Sequence, residues 1–160
     1  MIRGAALSGR SGHRIPVGKS FLMAGLLAFS TAGVTTASSH ARSGGQQVKI
    51  RIGSATFTAT LDESPAARAF KALLPLTVRM TELNGNEKFF DLPTGLPTRA
   101  ARPGTIRNGD LMLYGSRTLV LFYKTFPTTY SYTRLGHLHD PGGLAAALGS
   151  GDVTVTFESR

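Results

Sequence analysis

Residues 109–124 constrain this chain more than any other stretch. They read Gly-Asp-Leu-Met-Leu-Tyr-Gly-Ser-Arg-Thr-Leu-Val-Leu-Phe-Tyr-Lys, two apolar runs of strand length separated by a Gly-Ser-Arg-Thr linker. Leu, Val, Phe and Tyr favour extended backbone, and both runs are apolar at odd and even positions alike. A strand of that kind is buried on both faces. The hairpin therefore belongs in the wall of a barrel or in a covered sheet, with other parts of the chain packed against each side.

The segments around it supply the rest of such a sheet. Val48, Ile50 and Ile52 alternate with Lys49 and Arg51, and beyond Gly53-Ser54 the residues Phe57, Ala59 and Leu61 alternate with threonines, which predicts a hairpin with one face in the core. Ser64 and Pro65 then suit the N-cap and first position of a helix, whose apolar face is expected at Ala66, Ala69, Phe70, Leu73 and Leu74, with Pro75 as the stop. A strand over 76–83 turns at Asn84-Gly85 into a second over 87–92. Residues 93–109, with three prolines and three glycines, predict a long surface loop of the kind that carries function.

Beyond the central hairpin, an extended segment over 132–138 would place Tyr132, Arg134 and Leu138 on one face and Thr133, Leu135 and His137 on the other. Asp140-Pro141 looks like a second cap-plus-proline device, opening a short helix that contains Leu144 and Leu148 and ends at Gly149. Val153, Val155 and Phe157 face inward along a final strand. The expectation is mainly β, with about eight strands and two short helices.

The first forty residues are of another kind. Arg3, Arg10, Arg14 and Lys19 precede an uninterrupted apolar block over 21–29, and small residues follow; this is the pattern of an export signal over 1–41, cleaved near residue 37 or 41. The apolar block is shorter than the ~20 residues that span a bilayer, which disfavours a permanent anchor, and it is contiguous rather than periodic, which disfavours an amphipathic organelle-targeting peptide. A flexible polar linker is expected over 42–47, ahead of one domain over 48–158. The localisation expected is periplasmic or secreted. Much of the formal charge of +9 lies in the leader: residues 42–160 hold 14 basic and 9 acidic side chains, spread without a cationic run, which argues against nucleic acid as a partner. There is no cysteine, so disulfides, thiol catalysis and thiolate metal sites are excluded.

The order of elements resembles the cyclophilin fold, a closed eight-stranded barrel with a helix over each end. Leu74-Pro-Leu-Thr77, Leu83-Asn-Gly-Asn-Glu-Lys88, Gly109-Asp-Leu-Met-Leu-Tyr-Gly115, Leu119-Val-Leu-Phe-Tyr-Lys124, Tyr130-Ser-Tyr-Thr-Arg134 and Gly151-Asp-Val-Thr-Val-Thr-Phe157 resemble the small bacterial cyclophilin-like domains, over Val48 to Glu158. The resemblance implies fold rather than activity. Some members of that family occur beside flavodoxin-like domains, which implies a flavodoxin-like partner as one expectation. Peptidyl-prolyl isomerases of this topology carry a Phe-His-Arg stretch and a Gln-Phe-Phe motif. At the matching places this chain has Lys88-Phe89-Phe90-Asp91 and Leu119-Val120-Leu121-Phe122. The arginine that polarises the prolyl amide is missing there, and with it the main electrostatic term against a barrier near ~18–20 kcal/mol. Arg99, Arg102 and Arg134 are the cations left to replace it from another direction in a divergent isomerase.

Tyr114, Tyr123, Phe126, Tyr130, Tyr132 and Arg134 are the candidate ligand-binding residues, expected at one mouth of the barrel. Their rings, phenols and single cation suit a peptide or a small anionic molecule. The competing reading makes the tyrosines barrel-end core residues with hydroxyls satisfied by loops. His137 and His139, two apart beside Asp140, have the donor types of an open metal site, but residues 42–160 hold no third histidine, and a strand end leading to a capping aspartate is preferred. No phosphate loop, dinucleotide fingerprint or nucleophile elbow is present; no cofactor or metal is expected, and the sequence identifies no catalytic residue. The reading is an exported, monomeric binding module, with a divergent prolyl isomerase as the alternative.

Overall fold

The central hairpin forms as its composition requires. In the computed structural model, which describes residues 45–160, β6 (Asp110–Tyr114) pairs antiparallel with β7 (Thr118–Phe122) through Leu111 to Leu121 and Leu113 to Leu119. Around it β1 (Gln47–Ile52), β2 (Ala55–Leu61), β3 (Leu76–Leu83), β4 (Glu87–Asp91), β9 (Thr133–Leu138) and β10 (Val153–Ser159) close an eight-stranded antiparallel barrel in the order β1-β10-β3-β4-β7-β6-β9-β2. The export signal expected over 1–41 and the linker residues 42–44 lie outside the described residues. The linker ends sooner than expected, because the Gln46 and Gln47 carbonyls accept backbone bonds from Leu61 and Arg160, at 2.9 and 3.3 Å.

Alternation along each strand sends one set of side chains into the barrel. Val48, Ile50, Met80, Leu111, Leu113, Leu119, Leu121, Val155 and Phe157 meet there as one core. Each end is closed. Helix α1 (Pro65–Lys71) starts where the sequence places it, with the Ser64 hydroxyl accepting from the Ala67 amide at 3.1 Å, and it drives Phe70 edge-on against Phe157, with ring centroids 5.5 Å apart. Ala66, Ala67 and Phe70 are buried and Ala69 and Leu74 pack against the core beside them, as expected but for Leu73, which is exposed because the helix ends at Lys71, short of Pro75. The Leu74–Pro75 peptide is cis. Leu92 and Leu96 fold into the same core, so the start of the long loop is part of the barrel's filling.

At the opposite end sits α2 (Leu144–Leu148), with Leu144 and Leu148 buried. Asp140 does not cap it. The N-cap is Gly143 at φ 77°, and the Asp140 carboxylate accepts the Gly142 amide at 2.8 Å in a local turn, because two glycines separate it from the helix. A bulge in β9 makes a further correction: Leu111 faces Gly136 while Met112 faces Arg134, leaving Leu135 as the extra residue. Leu135 and Leu138 are therefore both in the core, and Arg134 and His137 both face outward toward Asp110. Gly136 lies so close to β2 that a β-carbon there would collide with the Thr60 carbonyl.

Candidate functional site

The even-numbered residues of the central hairpin have their own cover, outside the barrel. Met112, Val120 and Phe122 pack with Ile106 and Tyr132 into a second buried cluster, flanked by Phe89 and Phe126. Ile106 and Phe126 come from a small ribbon of β5 (Thr105–Ile106) and β8 (Phe126–Pro127), which pair with each other alone. Its first strand lies in the segment 93–109 that read as loop from composition. The ribbon is held by the Thr128 amide to the Gly104 carbonyl at 2.9 Å and by a two-way backbone bridge of Ala101 with Tyr132, both bonds 3.0 Å.

The rings form a chain across this outer face. Phe126 lies 5.8 Å from Phe122, Phe122 5.5 Å from Tyr132, Tyr132 5.7 Å from Tyr114, and Tyr114 6.2 Å from Tyr130, the spacing of edge-to-face and tilted aromatic pairs. The inner rings Phe122 and Tyr132 are buried; Tyr114 and Tyr130 are 48% and 62% exposed and lie against each other, a contiguous patch rather than scattered single residues. Tyr132 stands at the junction of three clefts. One, of about 500 Å³, runs between Asp62–Ala66 and residues 97–103 and includes Arg99 and Arg134. A second, of about 310 Å³, lies over Phe89, Val120 and Tyr114. The third, of about 590 Å³, lies between Asn84–Glu87 and Phe126–Tyr130.

Four of the six residues singled out from sequence, Tyr114, Phe126, Tyr130 and Tyr132, thus meet, on the barrel's outer wall and not at its mouth. Strand alternation explains the displacement: Tyr114 shares parity with Met112, which points away from the barrel. Arg134 reaches only the first cleft, where its guanidinium pairs with Asp62 at 3.4 Å and lies 3.9 Å from Asp110. Tyr123 belongs to neither group. It is buried at the α2 end of the barrel, and its phenol donates to the two Glu82 carboxylate oxygens at 2.8 and 2.9 Å. For this one tyrosine the competing reading, a barrel-end core residue with a satisfied hydroxyl, is the structural outcome. Burial, reinforced by Glu82, pushes its pKa up to about 12.

Beside Tyr123 is a group that alternation in the sequence did not single out. Lys88 is fully buried, its ammonium donating to Glu82, to the Gly149 carbonyl at 2.8 Å and to the Gly151 carbonyl at 2.7 Å, with the Tyr123 ring centroid 5.4 Å away. Burial alone would raise the Glu82 pKa, but hydrogen bonds from Lys88, Tyr123 and the Gly85 amide outweigh it and hold the carboxyl below its usual range. His137 and His139 are likewise divided: His137 pairs with the buried Asp110 at 2.9 Å, and His139 bonds Thr60 on β2. Among the described residues no group of three His, Asp or Glu side chains converges as a metal site would need.

Residues 50–158 match the family model described as the cyclophilin-like family. The chain belongs to the cyclophilin-like family. A solved structure of the same type, the hypothetical protein AF2241 from Archaeoglobus fulgidus, superposes with a TM-score of 0.51 at 17% identity, covering 76% of this chain and 99% of its own. At that identity the likeness shows the fold. Among curated proteins nothing matches the chain. The cyclophilin-like barrel is thus shared, and what this member does rests on its own side chains.

Proposed function

We propose that this cyclophilin-like protein is an exported binding module that holds a peptide or small molecule against the aromatic outer face of its barrel. The observation that carries the reading is the pair of exposed tyrosines, Tyr114 and Tyr130, leaning on the buried Tyr132 where the clefts meet. Exposed rings fixed by a buried aromatic floor offer stacking area without the entropy cost of ordering a loose surface. The basic and apolar leader over 1–41 supports export, and sequencing the N-terminus of protein recovered from a cell-envelope or medium fraction tests it: a start near residue 38 or 42 is expected, and full-length protein in the cytosol contradicts it.

The divergent-isomerase alternative has weaker support. It needs a positioned cation beside the prolyl amide, and the one cation in the matching stretch, Lys88, is turned into the barrel with its three donors taken. An NMR titration with a fragment library, run beside an isomerisation assay on a proline-containing tetrapeptide, tests both readings. Binders are expected to move the amide resonances of residues 114, 130 and 132 and to lose affinity in a Tyr114→Ala/Tyr130→Ala variant. Binding mapped elsewhere and indifferent to that variant, or acceleration of the isomerisation, overturns the proposal.

A further inference from the structure

Glu87 begins β4 facing outward, opposite in parity to Lys88, and lines both the second and the third cleft together with Asn84, Tyr130 and Tyr132. Its carboxylate has no hydrogen bond and no ion pair among the described residues, although the residue is half-buried. The other withdrawn carboxylates differ sharply. Glu82 accepts from Lys88, Tyr123 and the Gly85 amide, and Asp110 accepts from His137 and the Arg107 amide. An unpaired, partly desolvated carboxylate is costly, and a fold that satisfies its neighbours so fully leaves this one open toward a cleft. Desolvation first, and the charge of Glu82 second, raise the Glu87 pKa.

The walls of these two clefts contain no Lys, Arg or His, in a chain whose overall charge is positive. The carboxamide oxygen of Asn86, at the edge of the third cleft, also lacks a partner among the described residues. What the clefts offer is the unpaired Glu87 carboxylate, Asp91 in the second cleft, which already accepts from the Thr118 hydroxyl at 2.6 Å, further acceptors and aromatic faces. That combination is complementary to a cation on an apolar arm: the carboxylate takes the charge, and the tyrosine rings take the alkyl chain and attract the cation electrostatically.

Resting on the binding reading above, we propose that the ligand carries an alkylammonium or alkylguanidinium group that is seated against Glu87 between Tyr130 and Tyr132. The first cleft is not its seat, because Arg99 and Arg134 line it beside Asp62 and Glu63.

The test is an NMR titration of the protein and of its Glu87→Gln variant with four probes: a capped alanine pentapeptide with a central lysine, the same peptide with arginine, the same with norleucine, and n-butylamine alone. The lysine and arginine peptides are expected to shift residues 87, 130 and 132, to bind at least tenfold more tightly than the norleucine peptide, and to lose that advantage in Glu87→Gln. Glutamine preserves the shape of the side chain, and an unchanged spectrum elsewhere shows that the fold is intact. Butylamine shifting the same residues supports a free amine as a sufficient ligand; shifts with the cationic peptides only support a peptide source. A norleucine peptide that binds at the same residues as tightly as the lysine peptide overturns the cation inference and leaves the binding reading standing. Perturbation confined to other surfaces overturns both.

Discussion

Replacing Lys88 by Met removes a buried charge while keeping an unbranched side chain only one heavy atom shorter, and the consequence follows from its partners. The ammonium has three protons and three acceptors, the Glu82 carboxylate and the carbonyls of Gly149 and Gly151, and none of its surface reaches water. Methionine leaves both carbonyls without a donor and Glu82 without its counter-ion, although Tyr123 and the Gly85 amide still donate to that carboxylate. Breaking a buried pair in this way costs ~3–5 kcal/mol, a large part of the ~5–15 kcal/mol that holds a domain together. For a barrel of this size the loss corresponds to a fall of roughly 10–20 °C in Tm. The assay is urea unfolding followed by circular dichroism for Lys88→Met, Glu82→Gln and the double variant. Because Glu82 is stranded only when Lys88 is gone, the two losses are expected to be non-additive, with a coupling of at least ~1.5 kcal/mol. A loss below ~1 kcal/mol for Lys88→Met, or strict additivity, would refute the argument that this ammonium ties the α2–β10 connection to β3 and β4.

Three further outcomes follow from the same geometry. Tyr123 has its pKa raised from the ordinary 10.0 to about 12, so the protonated phenol is favoured in the fold; its contribution is complete below pH 10 and disappears between pH 10 and 12. Tyr123→Phe should cost about 1.5–3 kcal/mol at pH 7 through the lost bond to a charged acceptor, and its urea midpoint should lack that alkaline decline; an identical decline in both proteins speaks against the assignment. Gly136→Ala forces a β-carbon against the Thr60 carbonyl and should lower stability by about 1–3 kcal/mol, with increased amide exchange where β2 meets β9; a neutral effect would show that the strands part easily. Ser64→Ala removes the acceptor of the Ala67 amide and should cost ~1 kcal/mol in thermal unfolding, whereas Ser64→Asp should retain most of it.

Much of the barrel was legible because its strands obey local rules. Period-two alternation in β1, β2, β3 and β10 marks the inward residues, Asn84 and Gly85 take the positive φ angles their turn needs, and Ser64-Pro65 starts α1. Lys88 was hidden by the same rule, since a charged residue in a strand reads as solvent-facing unless a partner is known, and its acceptors lie 6, 61 and 63 residues away. The bulge at Leu135 was hidden because an extra residue changes the face of every side chain beyond it and leaves no compositional mark. Glu87 carries a signal only in retrospect. It shares parity with Phe89, and the outer face of β4 is half covered by rings that arrive from residues 122–132.

The sequence by itself determined that the hairpin over 109–124 is buried on both faces, that the chain is mainly β, and which residues of its alternating strands face the core, because those properties follow from side-chain character along each strand; that the strands close into a barrel was implied by the family resemblance. Only the tertiary structure decided what covers the second face. Ile106, Phe126 and Tyr132 are separated in the chain and gathered by the pairing of β5 with β8 and by the bridge from Ala101 to Tyr132, so the aromatic wall outside the barrel, and the uncommitted carboxylate beside it, arise from long-range contacts that no local pattern encodes.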